Sequence, residues 1–353
     1  MVLPLLMTAC SKDGDTPQLL SEEKPIAVSA SITSQEATTR GANDALGDTK
    51  EAVPYEQVTP SGDKILDASV WFTTSSGVYG DGGWDAFHQR HTEVKFNSAS
   101  PVYPYEQSLM YPADGEVFCV GLYPYSSSAW TTNVGNTTAT HEINGVDDLM
   151  YASQQSAGNK ATITVVPTLQ FYHLLTWLKI IVKAESNDAV SAWGNITNIT
   201  VTSPSSGLTV DLAKSISTAG DVITYEEGVV TYNGIPTDII AFDGSSYTDP
   251  GTSATISRSK SLDITDQEIA SIFCAPDYRY TVKVTTAHHV EKSVVVTLKD
   301  ENGIDLTAEN YLSKARGHMF VITLYFKDMT VIDAGISLNA WDDNNANTID
   351  LKS

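Results

Sequence analysis

Short runs rich in Val, Ile, Thr, Tyr and Phe recur along the chain and are broken by Gly, Pro, Asp and Asn. This rhythm restricts the fold more than any single motif, because β-branched and aromatic runs between turn residues read as strands. In order, the runs are Leu66 to Thr73, Glu93 to Phe96, Gln107 to Tyr111, Glu116 to Tyr123, Ala161 to Val166 and Leu169 to Lys183. They continue with Ile196 to Thr202, Gly207 to Leu212, Asp238 to Phe242, Ala254 to Ser257, Tyr278 to Thr286, Ser293 to Leu298, His318 to Phe326 and Gly335 to Trp341. Turn signals such as Gly80-Asp81-Gly82-Gly83 and Pro112-Ala113-Asp114-Gly115 separate them. In Leu169 to Lys183 the residues Phe171, Leu175, Leu178 and Val182 also fit one face of a helix, but the tail Ile180-Ile181-Val182 favours a strand. Val294 to Leu298 and Phe320 to Phe326 are continuous apolar runs, as expected of central strands covered on both faces. Leu306 to Ala315 is the best short helix or turn before the last strands. The polar break Glu185-Ser186-Asn187-Asp188 is the expected domain boundary. The pattern predicts an all-β protein of two sandwiches in series. Such sheets have open edges, and an open edge is either protected or used to bind another strand.

Lys and Arg number 21 against 43 Asp and Glu, a net charge of −22. A surface so anionic argues against nucleic acid as a partner, since binding it requires neutralising phosphates. No run of residues is long and apolar enough for a membrane-spanning helix. Cys119 and Cys274 each sit in an apolar run and read as buried, reduced thiols; a disulfide between them is the alternative.

The chain begins MVLPLLMTAC. An apolar stretch ending in small residues before Cys10 is similar to a bacterial lipobox, with Met7 where Leu is usual and no basic residue ahead of it. Lipidation of Cys10 would anchor the chain to a membrane. A polar spacer follows. Then Ile26, Val28, Ala30 and Ile32 alternate with Ala27, Ser29, Ser31 and Thr33, the pattern of a half-buried strand. Arg40-Gly41 opens a stretch rich in Asp, Glu, Pro and Gly, as expected of a protease-accessible loop.

Several features in this order and spacing resemble the fimbrillin family, the fimbrial subunits of Bacteroidales. They are Leu5-Leu6-Met7-Thr8-Ala9-Cys10 with acidic residues after it, the alternating strand that ends near Thr38-Thr39-Arg40, and Asp147-Asp148-Leu149-Met150-Tyr151-Ala152 followed by Leu169-Gln170-Phe171-Tyr172-His173-Leu174-Leu175. The ending, Met319-Phe320-Val321-Ile322-Thr323-Leu324 and then Ile336-Ser337-Leu338-Asn339-Ala340-Trp341, completes the set. The resemblance implies two transthyretin-like β-sandwich domains, export as a lipoprotein, a cut after an arginine, and polymerisation by strand exchange. Placed on this sequence, residues 1–10 form a lipoprotein signal region and 11–40 a propeptide with an exchangeable strand. Residues 41–184 form the N-terminal sandwich and 185–353 the C-terminal one. Cys10 is then the lipidated residue, and Arg40-Gly41 the bond cut by a trypsin-like protease. Ile26, Val28, Ala30 and Ile32 plug a groove until the cut. Ile336, Leu338, Ala340 and Trp341 belong to the donor strand. The implied partners are other fimbrial subunits, the processing protease, the outer membrane through the lipid, and host or bacterial surface ligands.

We find no GxSxG, HExxH, P-loop or GxGxxG pattern, and the expectation is a non-enzyme without cofactor or metal. His88 and His91 stand three apart without a carboxylate-rich partner motif. His173 reads as a core or edge histidine. Asp81-Gly82-Gly83 and Asp342-Asp343-Asn344-Asn345 read as solvated turns rather than calcium loops. Tyr103-Pro104-Tyr105 and Tyr123-Pro124-Tyr125 pack at a sandwich end or, if exposed, stack on sugars. They support the alternative reading, a monomeric surface lipoprotein that binds glycans.

Overall fold

The structure is a computed structural model that describes residues 24, 26, 28–32, 57–58, 64–73, 90–96, 110–111, 115–124, 130–132, 137–161, 167–219, 222–248, 255–328 and 331–339. Cys10, Arg40, Gly41, Ala340 and Trp341 lie outside these residues, as do His88, Tyr103, Tyr105, Tyr125 and the two acidic turns.

The chain is all-β. Its first strands are β1 (Ser29–Ile32), β2 (Gln57–Val58), β3 (Lys64–Thr73), β4 (Arg90–Phe96), β5 (Val117–Tyr123), β6 (Thr131–Thr132) and β7 (Thr138–Glu142). Then come β8 (Met150–Gly158), β9 (Thr168–His173) and β10 (Thr176–Ala184), helix α1 (Asn187–Trp193), β11 (Ile196–Ser203) and β12 (Gly207–Asp211). Two hairpins and two further strands follow: β13 (Ile216–Ala219), β14 (Val222–Tyr225), β15 (Val230–Asn233), β16 (Thr237–Asp243), β17 (Tyr247–Thr248) and β18 (Thr255–Ile256). The last elements are β19 (Gln267–Cys274), β20 (Arg279–Thr286), β21 (Lys292–Thr297), α2 (Tyr311–Ala315), β22 (Met319–Phe326) and β23 (Ile332–Asn339).

Four larger sheets make two layered units. The first has the order β1-β9-β8-β5-β3-β2, with β4 also paired to β3, and the second β15-β12-β7-β6. The third runs β19-β10-β22-β23 and the fourth β16-β11-β20-β21. Side chains of the first sheet alternate between two cores, as period two requires. Val120, Leu122, Tyr151 and Tyr172 share a core with Ala139, Leu208 and Val210 of the second sheet. Val70, Phe72, Cys119, Met150, Ala152, Leu169 and Phe171 face the other way into a separate core. The third and fourth sheets bury Trp177, Ile180, Phe320 and Ile322 with Val201, Val282 and Val284.

Sheet membership does not divide at 184/185. Strand β10 precedes that point, yet pairs with β19 and β22. Strands β12 and β15 follow it, yet join β7 in the second sheet. The polar Glu185-Ser186-Asn187-Asp188 is a helix start: Ser186 Oγ accepts from Ala189 N–H at 3.1 Å and caps α1, and Asp188 sits in its first turn. Leu169 to Lys183 is extended as expected, but forms two strands. The step between them is Leu174-Leu175, both fully buried.

Strand β22 holds the expected central place, between β10 on one side and β23 on the other. The other apolar run does not. Strand β21 ends its sheet, and Val295 is 62% exposed while Val296 and Leu298 turn inward. A β-branched run favours a strand without fixing its place in the sheet.

Candidate functional site

The segment from Lys24 to Ile32 is held in three ways. Its start is fixed by Tyr111 N–H, which donates to the Lys24 carbonyl at 2.9 Å. Lys24 Nζ also donates to the Lys160 carbonyl at 3.2 Å. Next, Ile26 and Val28 are 0% exposed, seated among Val70, Phe72, Cys119, Leu169 and Phe171 in the outer core of the first sheet. Finally, β1 lies parallel to β9, with Ser29 opposite Thr168, Ala30 opposite Leu169 and Ile32 opposite Phe171. Strand β1 ends the sheet, and β9 is its one strand partner among the described residues.

The energy is unevenly spread along this segment. Full burial of Ile26 and Val28 contributes roughly 3–6 kcal/mol together. The parallel ladder of β1 is only four residues long, and parallel pairing is slightly weaker per residue than antiparallel. Ile26 and Val28 occupy a groove in the outer core of the first sheet.

Three groove residues carry no signal as a motif. Gly121 is in mid-strand, and a Cβ there would stand 2.5 Å from Phe171 Cζ and 3.2 Å from Ala152 Cβ. The glycine lets the Phe171 ring approach β5 closely, and a glycine inside a strand run is the one hint in the sequence of such an approach. Cys119 is a free thiol on the groove floor, pushed up to about 12 by burial. Tyr111 is also pushed up to about 12, by burial and then by the Cys119 charge, and its hydroxyl donates to the Ala157 carbonyl at 2.7 Å. Cys274 is likewise free and buried, in the other core.

The far end of the chain is packed on its own body as far as it is described. Strand β23 is antiparallel to β22 along its whole length, with Ile336 opposite Ile322 and Leu338 opposite Phe320. Ile332, Ala334, Ile336 and Leu338 are half-buried against the large core.

Between the two units, the Leu174-Leu175 step is clamped from both sides. Tyr225 Oη donates to the His173 carbonyl at 3.3 Å, and Tyr232 Oη donates to the Leu174 carbonyl. Gly317 N–H donates to the Leu175 carbonyl at 2.9 Å. His173 is a core histidine, as the sequence indicates, and its Nδ1 meets Asp148 Oδ2 at 2.7 Å with both side chains buried. Among the described residues no group of three His, Cys, Asp or Glu side chains is arranged to hold a metal ion.

No family model and no curated protein matches this sequence. Solved structures do match. A candidate cell adhesion protein from Bacteroides uniformis is 14% identical with a TM-score of 0.48, over 90% of this chain and 99% of that one. A candidate cell adhesion protein from Bacteroides ovatus is 12% identical with a TM-score of 0.46, over 90% and 98%. A fimbrial protein from Bacteroides vulgatus is 13% identical with a TM-score of 0.42, over 89% and 99%.

Proposed function

We propose that this chain is the precursor of a fibre subunit at a bacterial surface, with residues 24–32 as a removable strand whose groove then accepts a strand from another subunit. The observation that carries the reading is the complete burial of Ile26 and Val28 on a short terminal segment whose sheet strand is a four-residue parallel edge. While covalently attached, the segment competes for its groove at high effective concentration; once cut, that advantage is gone. In this reading Cys10 carries the lipid that holds the precursor at the outer membrane. A trypsin-like protease cuts between Arg40 and Gly41. Head-to-tail strand addition then builds an open polymer, which supports adhesion to surface ligands.

The packing of β23 on β22 favours an order of events. A donor role for Ile336, Leu338, Ala340 and Trp341 requires β23 to leave β22, whereas the groove needs only the loss of residues 24–32. The subunit accepts a strand before it donates one.

The test compares wild type with Arg40→Ala. Trypsin-treated wild type should give a ladder of heat-resistant oligomers on a gel, and Arg40→Ala should remain an uncut monomer. Wild-type levels of polymer from Arg40→Ala would remove the cleavage step. A cut wild type that stays monomeric at high concentration would remove the fibre reading as a whole.

A further inference from the structure

Neighbouring strands of the first sheet alternate in direction, with one exception among the described residues. Strand β3 is antiparallel to both β4 and β5, β5 to β8, and β8 to β9. Strand β1 breaks the alternation and runs parallel to β9. Followed from strand to strand, these senses give β1, β4, β5 and β9 one direction, and β3 and β8 the other.

The open side of β1 faces β4. Their α-carbons approach within 8 Å, although no ladder joins the two among the described residues. The first sheet therefore curls until β4, at one end, comes alongside β1, at the other. It encloses the core that Val70, Phe72, Cys119, Leu169 and Phe171 share with Ile26 and Val28. Strand β1 fills the gap between β9 and β4, and it runs the same way as both.

That sense is the weaker one on each side, since parallel pairs are slightly less stable per residue than antiparallel pairs. The ladder is also incomplete, because β1 pairs with four of the six residues of β9. The covalent chain imposes the direction: its entry is fixed where Tyr111 N–H donates to the Lys24 carbonyl, and the strand can only lead away from there. A strand from another molecule is under no such constraint. Side chains alternate with period two whichever way a strand runs. Ile336, Leu338 and Ala340 therefore share one face in either direction, as Ile26 and Val28 do, and the backbone decides the sense.

We infer that residues 336–341 of a second copy take the place of β1 in the opposite direction, antiparallel to β9 on one side and to β4 on the other. The inference rests on the proposed removal of residues 24–32 and adds what drives the exchange. The first strand is a placeholder in the less favourable sense, and its replacement gains an antiparallel ladder at both edges of the gap.

The test uses the trypsin-cut full chain and a synthetic peptide of residues 334–341, with lysines added for solubility. One version carries a benzophenone at its amino end and a second carries it at its carboxyl end. Peptide in excess keeps the cut chain from polymerising, and mass mapping of the photo-cross-links reads the direction. The amino-end probe should label the close of β9 and β4, near Phe171 and Phe96, and the carboxyl-end probe their start, near Thr168 and Arg90. The peptide should bind at least about tenfold more tightly than one of residues 24–33 in its natural order. Leu338→Asp in the peptide should weaken binding at least about tenfold, since it brings a carboxylate into an apolar core. The opposite labelling pattern, as β1 itself would give, overturns the inference. So does labelling without preference, tighter binding of the 24–33 peptide, no effect of Leu338→Asp, or no cross-link at up to about 1 mM peptide. An oligomer ladder from cut wild type together with the opposite labelling pattern would leave the fibre reading standing and remove the antiparallel insertion alone.

Discussion

Arg316 Cζ stands 4.1 Å from the centre of the Tyr225 ring, a contact that joins the segment before β22 to the β13–β14 hairpin. Arg316 precedes β22 of the third sheet. Tyr225 ends a hairpin whose Ile216 N–H donates to Ser153 Oγ on the first sheet at 2.6 Å. The guanidinium also faces the Tyr232 ring at 5.5 Å, and it is 7% exposed. Both tyrosine hydroxyls donate to the chain where it passes from one unit to the other. A desolvated cation on two aromatic faces, with the joint's carbonyls bound to the same tyrosines, makes a stiff joint. Arg316→Ala should therefore lower unfolding free energy by about 1–3 kcal/mol in urea melts. Tyr225→Phe, which keeps the ring and loses one hydrogen bond, should cost about 0.5–1.5 kcal/mol. Equal losses in the two variants would mean that the ring contact carries nothing.

Cys119 offers a direct view of the strand groove. It shares a core with Ile26 and Val28, whereas Cys274 lies in the other core. A maleimide probe should label neither thiol quickly in the intact protein, since both are buried. Ile26→Asp places a carboxylate where apolar side chains pack, and burying an unpaired charge is costly enough to expel the segment. Labelling of Cys119 should then rise by at least about tenfold while Cys274 stays protected, because an opening that costs a further 1.4 kcal/mol or more is avoided. Parallel exposure of both thiols, read by peptide mass mapping, would show global unfolding instead of local release.

The same thiol sets an alkaline limit on stability. Burial lifts Cys119 from an ordinary value of 9.0 to about 12. Above pH 9 the unfolded chain gives up that proton and the folded chain keeps it, so the balance tips toward unfolding. The contribution is complete below about pH 9 and is lost as pH rises toward 12, at up to about 1.4 kcal/mol per pH unit. Urea melts from about pH 8 to about pH 11 should show the decline, and Cys119→Ala should flatten it. Part of the slope should remain, because burial also raises Cys274. An identical slope in Cys119→Ala would mean that the thiol is not shielded as the groove requires.

How far the sequence alone reaches depends on whether a feature is local. Of the alternating stretch Ile26 to Thr33, Ser29–Ile32 forms β1, and Ile26 and Val28 are buried on the same face, because period two is a property of the segment itself. The joint is illegible because Leu174 and Leu175 are apolar and buried, while the polar run on the far side of β10 is spent on capping α1. Strand β21 reads as central because three valines in a row look the same at an edge as in the middle. The groove floor joins residues far apart in sequence, such as Gly121 with Phe171, and no local pattern marks it.

Gly121 provides the sharpest test of the groove's shape. Its α-carbon face is covered by the Phe171 ring, which is 0% exposed and pairs in register with Ile32 of β1. Alanine at this position puts a methyl 2.5 Å from Phe171 Cζ, closer than carbon atoms pack. The ring must shift, and it packs in the same core as Ile26 and Val28. Overpacking of this kind costs about 1–3 kcal/mol. Gly121→Ala should destabilise the protein by that amount and speed Cys119 labelling. Phe171→Leu alone should also destabilise, by leaving a cavity. The double variant should be more stable than the sum of the two losses predicts, since the smaller side chain makes room for the methyl. Simple additivity in urea melts would show that the glycine and the ring do not share the space on which the groove depends.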